Sequence, residues 1–385
     1  MKVLSFSYCF PRPTRPTWGV FVAQRLSALA KLPQVELEVC SPEPRFSPVV
    51  SPFISGKPLV DTYQNLKIYR PRYFYIPRYF KQFDATFYSK GLISWATNYC
   101  RENRPDILDA HFAWPDGVGV YHLARKLNLP YAITLRGWIW VGMKQPKLWR
   151  QAVEALRNAP VIINLCGAMA DVCREIGCDE KRLHVINNGI DRSLFFPLDR
   201  AEARRELALP PDVPIIACVS FYQRRKGILE LIEALHKLPR EALLVLVGEP
   251  AETEYYKEMN ALIGHLGLKD RVIMPGSQPH HRIALYMNAA NVTALPSYWE
   301  GSPNAVVESL GCGTPVVATP VGSVPEQVLP GKNGYIVPMK NVEALADALK
   351  STLSREWDRG FIAASVKSWH EVALDVESAL RSGVR

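Results

Sequence analysis

Short apolar runs rich in β-branched residues alternate with stretches of helical periodicity along the whole chain. The short runs predict strands that are buried on both faces. They lie at residues 1–10, 35–39, 107–110, 131–135 and 161–165, and then at 215–220, 242–247, 271–274, 292–295 and 315–318. Helical patterns fall between them, as at 21–32, 118–127, 227–237 and 342–353. Strand–helix alternation is typical of parallel sheets covered by helices on both faces, so the pattern predicts an α/β fold.

The strand–helix pattern forms two series, each of ordinary domain size, in a chain of 385 residues. Prolines at positions 197, 210, 211 and 214 interrupt regular structure between the two series. We therefore predict two doubly wound domains, at residues 1–190 and 191–365. A C-terminal helix at 366–385 is expected to pack back toward the N-terminal domain.

The composition is ordinary for a globular protein, with 48% hydrophobic residues and eight scattered cysteines. No two cysteines form a C-x-x-C pair or combine with nearby histidines at metal-ligand spacing, so we expect reduced thiols and no metal site. No apolar run approaches the roughly 20 residues that span a bilayer. The apolar start of the chain, which ends at Pro11, is too short for a signal peptide. These features predict a cytoplasmic protein.

Excess positive charge is confined to the first half of the chain. The net charge is +9, and residues 1–190 hold 25 Lys and Arg against 14 Asp and Glu, whereas residues 191–385 hold 21 against 23. The segment 41–82 combines basic residues with Pro, Tyr and Phe. Such a segment suits an anionic membrane surface or single-stranded nucleic acid. An ordered surface loop whose aromatic side chains pack inward is the third alternative.

The segment 300–308 places two carboxylates around a turn and a helix start. Ser302 is placed to cap the helix and Pro303 to occupy its first position, where a missing N–H costs nothing. The free amides at a helix N-terminus attract phosphate. Glu300 stands just before these amides, and Glu308 lies inside the helix, where it can accept hydrogen bonds from ribose hydroxyls. The segment thus offers places for a diphosphate, a sugar and a ribose, although a capped helix with two surface glutamates shows the same pattern.

Three further strand ends present residues of the kind that bind ligands. Arg225 and Lys226 follow the first strand of the second domain, and such cations neutralise a diphosphate without a metal. Gly248 and Gly276 end the next two strands, where a glycine lets a ligand approach the backbone closely. Because the carboxyl ends of parallel strands meet at one edge of a sheet, we expect these residues and Glu300 to share that edge.

Several segments resemble the family 4 glycosyltransferases. The longest is the run 296–319, PSYWEGSPNAVVESLGCGTPVVAT. The others are Gly19-Val-Phe-Val, the segment AHFAWPDG at 110–117, the segment INNGID at 186–191 and Asn333-Gly334. The resemblance covers essentially the whole chain. It implies a GT-B fold, in which two Rossmann-like domains face each other across an interdomain cleft.

The resemblance also implies a role for each domain. The C-terminal domain would bind a UDP- or GDP-linked sugar, and the basic N-terminal domain would bind the acceptor. Glu300 and Lys226 are the implied catalytic residues, because they would contact the transferred sugar and the diphosphate. The other implied donor-binding residues are Arg225, Gly248, Gly276, Gly301, Ser302, Pro303, Asn304 and Glu308. The family retains the anomeric configuration, generally without a metal ion, by front-face attack in which the leaving phosphate helps to deprotonate the acceptor.

Two positions depart from the family pattern. Phe221 stands where the family usually has an Arg, and the sequence leaves open whether Arg224 or Arg225 supplies that charge. Arg136 stands where many members have a His, and a guanidinium can contact a sugar or a phosphate but cannot act as a base near pH 7. The candidate acceptor-site residues are Gly19, His111 and Arg136. For the histidine among them, a purely structural role near a strand end is the alternative.

The resemblance therefore implies a retaining, metal-independent hexosyltransferase that needs no cofactor beyond its nucleotide-sugar. The expected acceptor is a hydroxyl of a lipid-linked or cell-surface glycan precursor, which implies polysaccharide biosynthesis. Residues 41–82 would then hold the protein on the inner face of the membrane. A sugar-nucleotide epimerase of the same fold is one alternative. A basic nucleic-acid-binding protein is another, although the sequence contains no recognised nucleic-acid module.

Overall fold

The computed structural model describes residues 1–45 and 59–384, and it divides into two compact units. The first unit contains the chain up to Asn188 together with the C-terminal residues from Trp369. The second contains Gly189–Ser368. Each unit is a sheet with helices on both faces.

The first unit is built on a predominantly parallel sheet. Its strands are β1 (Lys2–Phe6), β2 (Glu36–Cys40), β3 (Glu43–Arg45), β4 (Leu59–Tyr63), β5 (Leu66–Arg70), β6 (Arg72–Phe74), β7 (Ile107–His111), β8 (Tyr131–Thr134), β9 (Val161–Asn164) and β10 (Leu183–Val185). The main sheet has the order β10-β9-β8-β7-β1-β2-β5-β4, with β4 antiparallel to β5, and β3 pairs with β6 separately. The strand that follows β1 in the chain, β2, lies on one side of β1. The later strands β7, β8, β9 and β10 extend the sheet on the other side. The carboxyl ends of β1 and β7 therefore form the topological switch point of this sheet, where ligands bind in doubly wound folds.

The second unit is built on a fully parallel sheet. Its strands are β11 (Ile215–Val219), β12 (Leu243–Val247), β13 (Val272–Gly276), β14 (Val292–Leu295), β15 (Val316–Ala318) and β16 (Gly334–Ile336). Their order is β13-β12-β11-β14-β15-β16, so the switch point lies between β11 and β14. The predicted α/β, doubly wound fold is confirmed for both units.

Helices connect the strands and cover both faces of each sheet. They are α1 (Val20–Leu29), α2 (Asp84–Asn103), α3 (Val118–Leu127), α4 (Trp138–Gly142), α5 (Pro146–Asn158), α6 (Gly167–Glu175), α7 (Arg200–Glu206), α8 (Ile228–His236), α9 (Thr253–His265), α10 (His280–Ala289), α11 (Asn304–Gly311), α12 (Val324–Gln327), α13 (Val342–Leu353), α14 (Arg359–Ala364) and α15 (Trp369–Ser382). In the first unit, α2, α3, α5 and α6 pack on one face, and α1 and α15 pack on the other.

The C-terminal helix belongs to the core of the first unit. Leu26 and Leu29 of α1 share a buried cluster with Val376 and Leu380 of α15, and each of these side chains is at most 2% exposed. Burying one such side chain stabilises the fold by about 1.5–3 kcal/mol. The last helix of the chain is therefore integral to the first unit.

The basic segment noted in the sequence is mostly strand where the structure describes it. Residues 46–58 lie outside the described part of the chain, and β4, β5 and β6 occupy much of the remainder. Side chains of β5 alternate between buried and exposed, which places Arg70 inside. Arg70 is 2% exposed and donates hydrogen bonds to Asp61 at 3.1 Å and to the carbonyl of Pro11 at 2.8 Å. Arg70 therefore does not contribute to an exposed basic surface.

Candidate functional site

Four strand ends of the second unit meet at one edge of its sheet. The strands β13, β12, β11 and β14 are consecutive neighbours and run parallel. Gly276 ends β13, Gly248 follows β12, Lys226 lies in the loop after β11, and Glu300 lies in the loop after β14. The structure thus brings these four positions to the edge that contains the switch point.

Two glycines allow the loops at this edge to pack closely. Gly248 has a φ angle of 153°, and a Cβ atom there would lie 1.9 Å from the carbonyl oxygen of Ser220. Gly227 has a φ angle of 67°, and its Cβ would lie 2.1 Å from the carbonyl oxygen of Pro296. No larger residue fits either position without moving backbone atoms, so glycine is required by the loop packing itself.

Glu300 forms an ion pair with two cations from the neighbouring loop. Its Oε1 atom lies 2.5 Å from Nζ of Lys226, and its Oε2 atom lies 3.0 Å from Nη1 of Arg225. Burial raises the pKa of this carboxyl, but the two cations outweigh burial and bring the pKa below its ordinary value. Glu300 is therefore ionised at neutral pH. Its two oxygens pair with the charged groups of both cations.

Arg225, and not Arg224, faces this carboxylate. Nη2 of Arg224 contacts the two carboxylate oxygens of Glu258 on α9 at 2.6 and 2.7 Å. The side chain of Phe221, where the family pattern has an Arg, is 53% exposed. Of the two alternatives for the missing charge, the structure places Arg225 beside Glu300.

Helix α11 begins one residue later than expected. Pro303 is its N-cap residue, with φ and ψ angles of −73° and 111°, and Asn304 is its first helical residue. No side chain caps the helix, and the hydroxyl of Ser302 instead accepts a hydrogen bond from Ser323 at 2.9 Å. The expectations that Ser302 is the cap and that Pro303 is the first helical residue are therefore wrong. The first helical residue still lies only four positions after Glu300 in the sequence.

Glu308 is buried inside α11, with 8% of its surface exposed. Burial raises the pKa of this carboxyl to about 7. Its Oε1 atom lies 3.8 Å from Nε2 of His280, whose ring packs edge-on against Phe195. His280 could not be predicted beside Glu308 because it comes from a different helix, α10. Its only signal is its place at a helix start just after β13.

The candidate residues of the first unit lie at its own sheet edge. His111 is the last residue of β7, and Arg136 follows the neighbouring strand β8. Their side chains meet, since Nη2 of Arg136 lies 3.1 Å from Nδ1 of His111. Gly19 precedes α1 with a φ angle of 78°, and a Cβ atom there would lie 2.2 Å from the carbonyl oxygen of Cys9. The structure therefore supports a tight-turn role for Gly19 and a direct contact between the other two residues.

Both ring nitrogens of His111 have partners, which determines its tautomer. A guanidinium only donates hydrogen bonds, so Nδ1 must accept from Arg136. Nε2 then carries the proton, and it lies 3.0 Å from Oδ2 of the buried Asp109. Burial lowers the pKa of His111 even though Asp109 opposes this effect. His111 is therefore a neutral linker between Asp109 and Arg136, which leaves it no lone pair for a substrate proton.

The part of the chain that the structure describes contains no helix long and apolar enough to cross a membrane. Across the same residues, no group of three or more His, Cys, Asp or Glu side chains is placed to hold a metal ion. Metal independence of the reaction stays a prediction.

Two family models match the chain, and together they span most of it. The model for "Glycosyltransferase Family 4" matches residues 19–194, and the model for "Glycosyl transferases group 1" matches residues 199–369. A D-inositol 3-phosphate glycosyltransferase of Xylanimonas cellulosilytica is 34% identical over 298 residues, which cover 70% of this chain and 71% of that protein. This chain belongs to the family 4 glycosyltransferases. Its recognition from sequence motifs is confirmed, and neither the epimerase nor the nucleic-acid-binding alternative is supported.

Other similar proteins cover nearly all of this glycosyltransferase. A protein of Bacillus subtilis named for teichuronic acid biosynthesis, TuaC, is 28% identical over 374 residues, which cover 91% of this chain and 88% of TuaC. Sucrose-phosphate synthase of Thermosynechococcus elongatus matches the structure with a TM-score of 0.80 at 23% identity, over 99% of this chain and 98% of that one. HepE of Anabaena in complex with UDP matches with a TM-score of 0.76 at 20% identity, over 99% and 100%. These structures establish the GT-B fold.

Proposed function

We propose that this glycosyltransferase moves a hexose from a UDP- or GDP-linked donor to a hydroxyl group of a glycan or lipid-linked acceptor, with retention of configuration and without a metal ion. The observation that carries the proposal is the cluster of Lys226, Arg225 and Glu300 at the switch point of the second sheet. Ligands bind at this point in doubly wound folds. The proposal is also supported by HepE, a protein of the same fold whose structures contain UDP and UDP-glucose.

Each group at this edge has a part in donor binding. Lys226 and Arg225 neutralise the diphosphate, because charge-assisted hydrogen bonds to phosphate are strong in a partly buried site. The backbone at residues 301–304 and the N-terminal end of α11 supply amide groups and a positive dipole. Glu308 accepts hydrogen bonds from the ribose hydroxyls. Gly276 leaves room for the donor to approach the backbone, since no atom lies within 4 Å of a Cβ built there, whereas Gly248 lets the loop after β12 pack against Ser220.

Sugar transfer in this proposal depends on stabilising the leaving group. As the bond between the anomeric carbon and the phosphate oxygen breaks, the departing diphosphate gains charge that Lys226 and Arg225 stabilise. An oxygen of that phosphate takes the proton of the acceptor hydroxyl while the new glycosidic bond forms on the same face. Glu300 is ionised and therefore positions the transferred sugar by accepting hydrogen bonds from its hydroxyls. No carboxylate nucleophile of the kind found in retaining glycosidases is needed.

A donor screen tests the proposal. Purified protein is incubated with UDP- and GDP-linked hexoses, with and without membrane lipid extract and EDTA, and the released UDP or GDP is measured. We expect one donor to be turned over, faster with extract and equally well with EDTA. The matched control is Lys226→Met, which should remain folded and release the nucleotide at least tenfold more slowly than wild type. Failure of the wild-type protein to bind or turn over any nucleotide-sugar would contradict the proposal.

A membrane-near acceptor is supported by an exposed aromatic and basic surface in the first unit. The side chains of Tyr79, Phe80 and Phe83 are 69%, 59% and 46% exposed. Arg72 and Arg78 are exposed in the same segment. Aromatic side chains settle at the level of lipid headgroups, and arginines are attracted to anionic lipids. We propose that this surface holds the protein on the cytoplasmic face of the membrane, and the name of TuaC supports a role in polysaccharide biosynthesis.

Vesicle sedimentation tests the membrane surface. The double variant Arg72→Glu/Arg78→Glu should bind anionic vesicles at least tenfold more weakly than wild type, with unchanged UDP binding. The control is Arg150→Glu/Arg240→Glu, which changes two exposed arginines elsewhere by the same net charge and should bind normally. Equal sedimentation of the two double variants would rule out this surface.

A further inference from the structure

A buried polar cluster lies at the switch point of the first sheet. Asp109 and His111 belong to β7, Ser5 belongs to β1, and Arg136 follows β8. Asp109, His111 and Arg136 are 2%, 1% and 2% exposed. Arg25, on α1, is 1% exposed and lies near the same cluster, since its charge acts on both Asp109 and Arg136. Charged side chains are almost never buried so completely unless they are paired.

The cluster forms a chain of hydrogen bonds that ends at the guanidinium of Arg136. The hydroxyl of Ser5 donates to Oδ2 of Asp109 at 2.7 Å, and Nε2 of His111 donates to the same oxygen. His111 in turn accepts from Nη2 of Arg136. Arg136 is further held between aromatic rings, with its Cζ atom 4.9 Å from the ring centroid of Phe21 and 5.9 Å from that of Phe112. The position of this guanidinium is therefore well defined.

Arg136 nevertheless has donors without acceptors. Its Nε and Nη1 atoms are buried and have no hydrogen-bond partner among the residues that the structure describes. A buried donor left unpaired destabilises the folded protein, because it has lost its hydrogen bonds to water. Arg25 donates from Nη2 to the carbonyl oxygens of Ile186 and Asn187, at 3.0 and 3.1 Å, and its Nε and Nη1 atoms are likewise buried without a partner among the described residues.

The charges of the cluster do not balance. Arg25 and Arg136 carry two positive charges, whereas Asp109 carries one negative charge. Burial raises the pKa of the nearby Cys9 thiol to about 12, so this thiol adds no negative charge beside Arg136. Burial and the neighbouring Arg25 also lower the pKa of Arg136, although Asp109 opposes this effect. An anion beside Arg136 would balance the second positive charge.

We propose that Arg136, positioned by the Asp109–His111 pair, binds an anionic group of the acceptor, either a phosphate or a carboxylate. The free N–H groups of Nε and Nη1 are the donors for that group. This inference rests on the proposed function, because only a transferase has an acceptor. Arg136 is then a binding residue, whereas Asp109 and His111 act through it.

Anion binding to UDP-saturated protein tests the inference, because UDP occupies the donor cations first. Inorganic phosphate and glucuronate are titrated separately at constant ionic strength, with chloride as the reference, and the melting temperature is recorded. We expect at least one of the two anions to stabilise the wild-type protein. Arg136→Met should weaken this binding at least tenfold, Arg136→Lys should weaken it less, and UDP affinity should stay within threefold. The stronger of the two anions identifies the class of the acceptor group.

Variants of His111 test the positioning role. His111→Asn keeps an acceptor close to the place of Nδ1 and should retain most of the anion binding, whereas His111→Leu should lose it with unchanged UDP affinity. Equal stabilisation of wild type and Arg136→Met by the anions, or stabilisation of neither, would overturn the inference. So would a tenfold loss of UDP affinity in Arg136→Met, which would place Arg136 in the donor site. Absence of UDP binding to wild type would instead contradict the proposed function.

Discussion

Replacing Glu300 by Gln should strengthen UDP binding while it removes sugar transfer. In the protein without donor, this carboxylate holds Lys226 at 2.5 Å and Arg225 at 3.0 Å. A phosphate oxygen bound on the other side of the lysine Nζ would lie about 5 Å from the carboxylate, and an effective dielectric constant of about 20 then gives roughly 3 kcal/mol of repulsion. UDP lacks the transferred sugar that Glu300 would contact, so the change in its affinity reports this repulsion.

Solvent reduces the effect, since the side chains of Lys226 and Arg225 are 13% and 26% exposed. If about half of the repulsion remains, the gain is roughly 1.5 kcal/mol, or about a tenfold lower Kd. Titration calorimetry with UDP at low and high salt measures it, and the gain should shrink at high salt. Glu258→Gln is the matched control, because it releases Arg224 on the surface and should leave the Kd unchanged. An unchanged or weaker UDP affinity of Glu300→Gln would refute the reasoning.

Three further predictions follow from the same unit. Burial raises the pKa of Glu308 to about 7, above its value in the unfolded chain, so the stability that this group confers is present at low pH and is lost as the pH rises toward 7. The free energy of unfolding of Glu308→Gln, measured with urea, should therefore rise by roughly 2 kcal/mol relative to that of wild type between about pH 5 and pH 8. Free energies of unfolding that change in parallel with pH in the two proteins would contradict this. Gly248→Ala should lose more than about 3 kcal/mol in thermal unfolding, whereas Gly267→Ala, with a φ angle of 66° and no atom within 4 Å of its Cβ, should lose about 1 kcal/mol. Comparable losses in the two variants would show that backbone strain, and not the close contact at Gly248, determines the loss of stability. Arg225→Ala should weaken UDP binding about tenfold and Arg224→Ala less than twofold, as measured by calorimetry, and equal losses would disprove the assignment of Arg225 to the site.

The buried strands and their shared sheet edge were predictable from the sequence for a local reason. Buried parallel strands appear as short apolar runs, and a residue that follows such a run must lie at the carboxyl edge of the sheet. Lys226, Gly248, Gly276 and Glu300 could therefore be placed together from the order of residues along the chain. The same logic placed His111 at the edge of the first sheet.

Features that depend on tertiary contacts could not be predicted. Ser302 does not cap α11, and its hydroxyl instead contacts Ser323 from a later loop. The choice between Arg224 and Arg225 depends on where Glu258 of α9 lies. The sequence contains one signal for Asp109, because it is a charged residue inside a buried strand. It lies two positions before His111 and therefore on the same face of that strand. The role of Asp109 could be inferred only once the position of Arg136, which follows the next strand, was known.

The most direct test of the account is the melting temperature of wild-type protein and Glu308→Ala with UDP and with GDP. The account predicts that at least one of these nucleotides raises the melting temperature of wild type by mass action. It also predicts that Glu308→Ala, while folded, largely loses this shift because the ribose contact is gone. No shift with either nucleotide, or an equal shift in the variant, would contradict a nucleotide-sugar site at this edge of the second sheet.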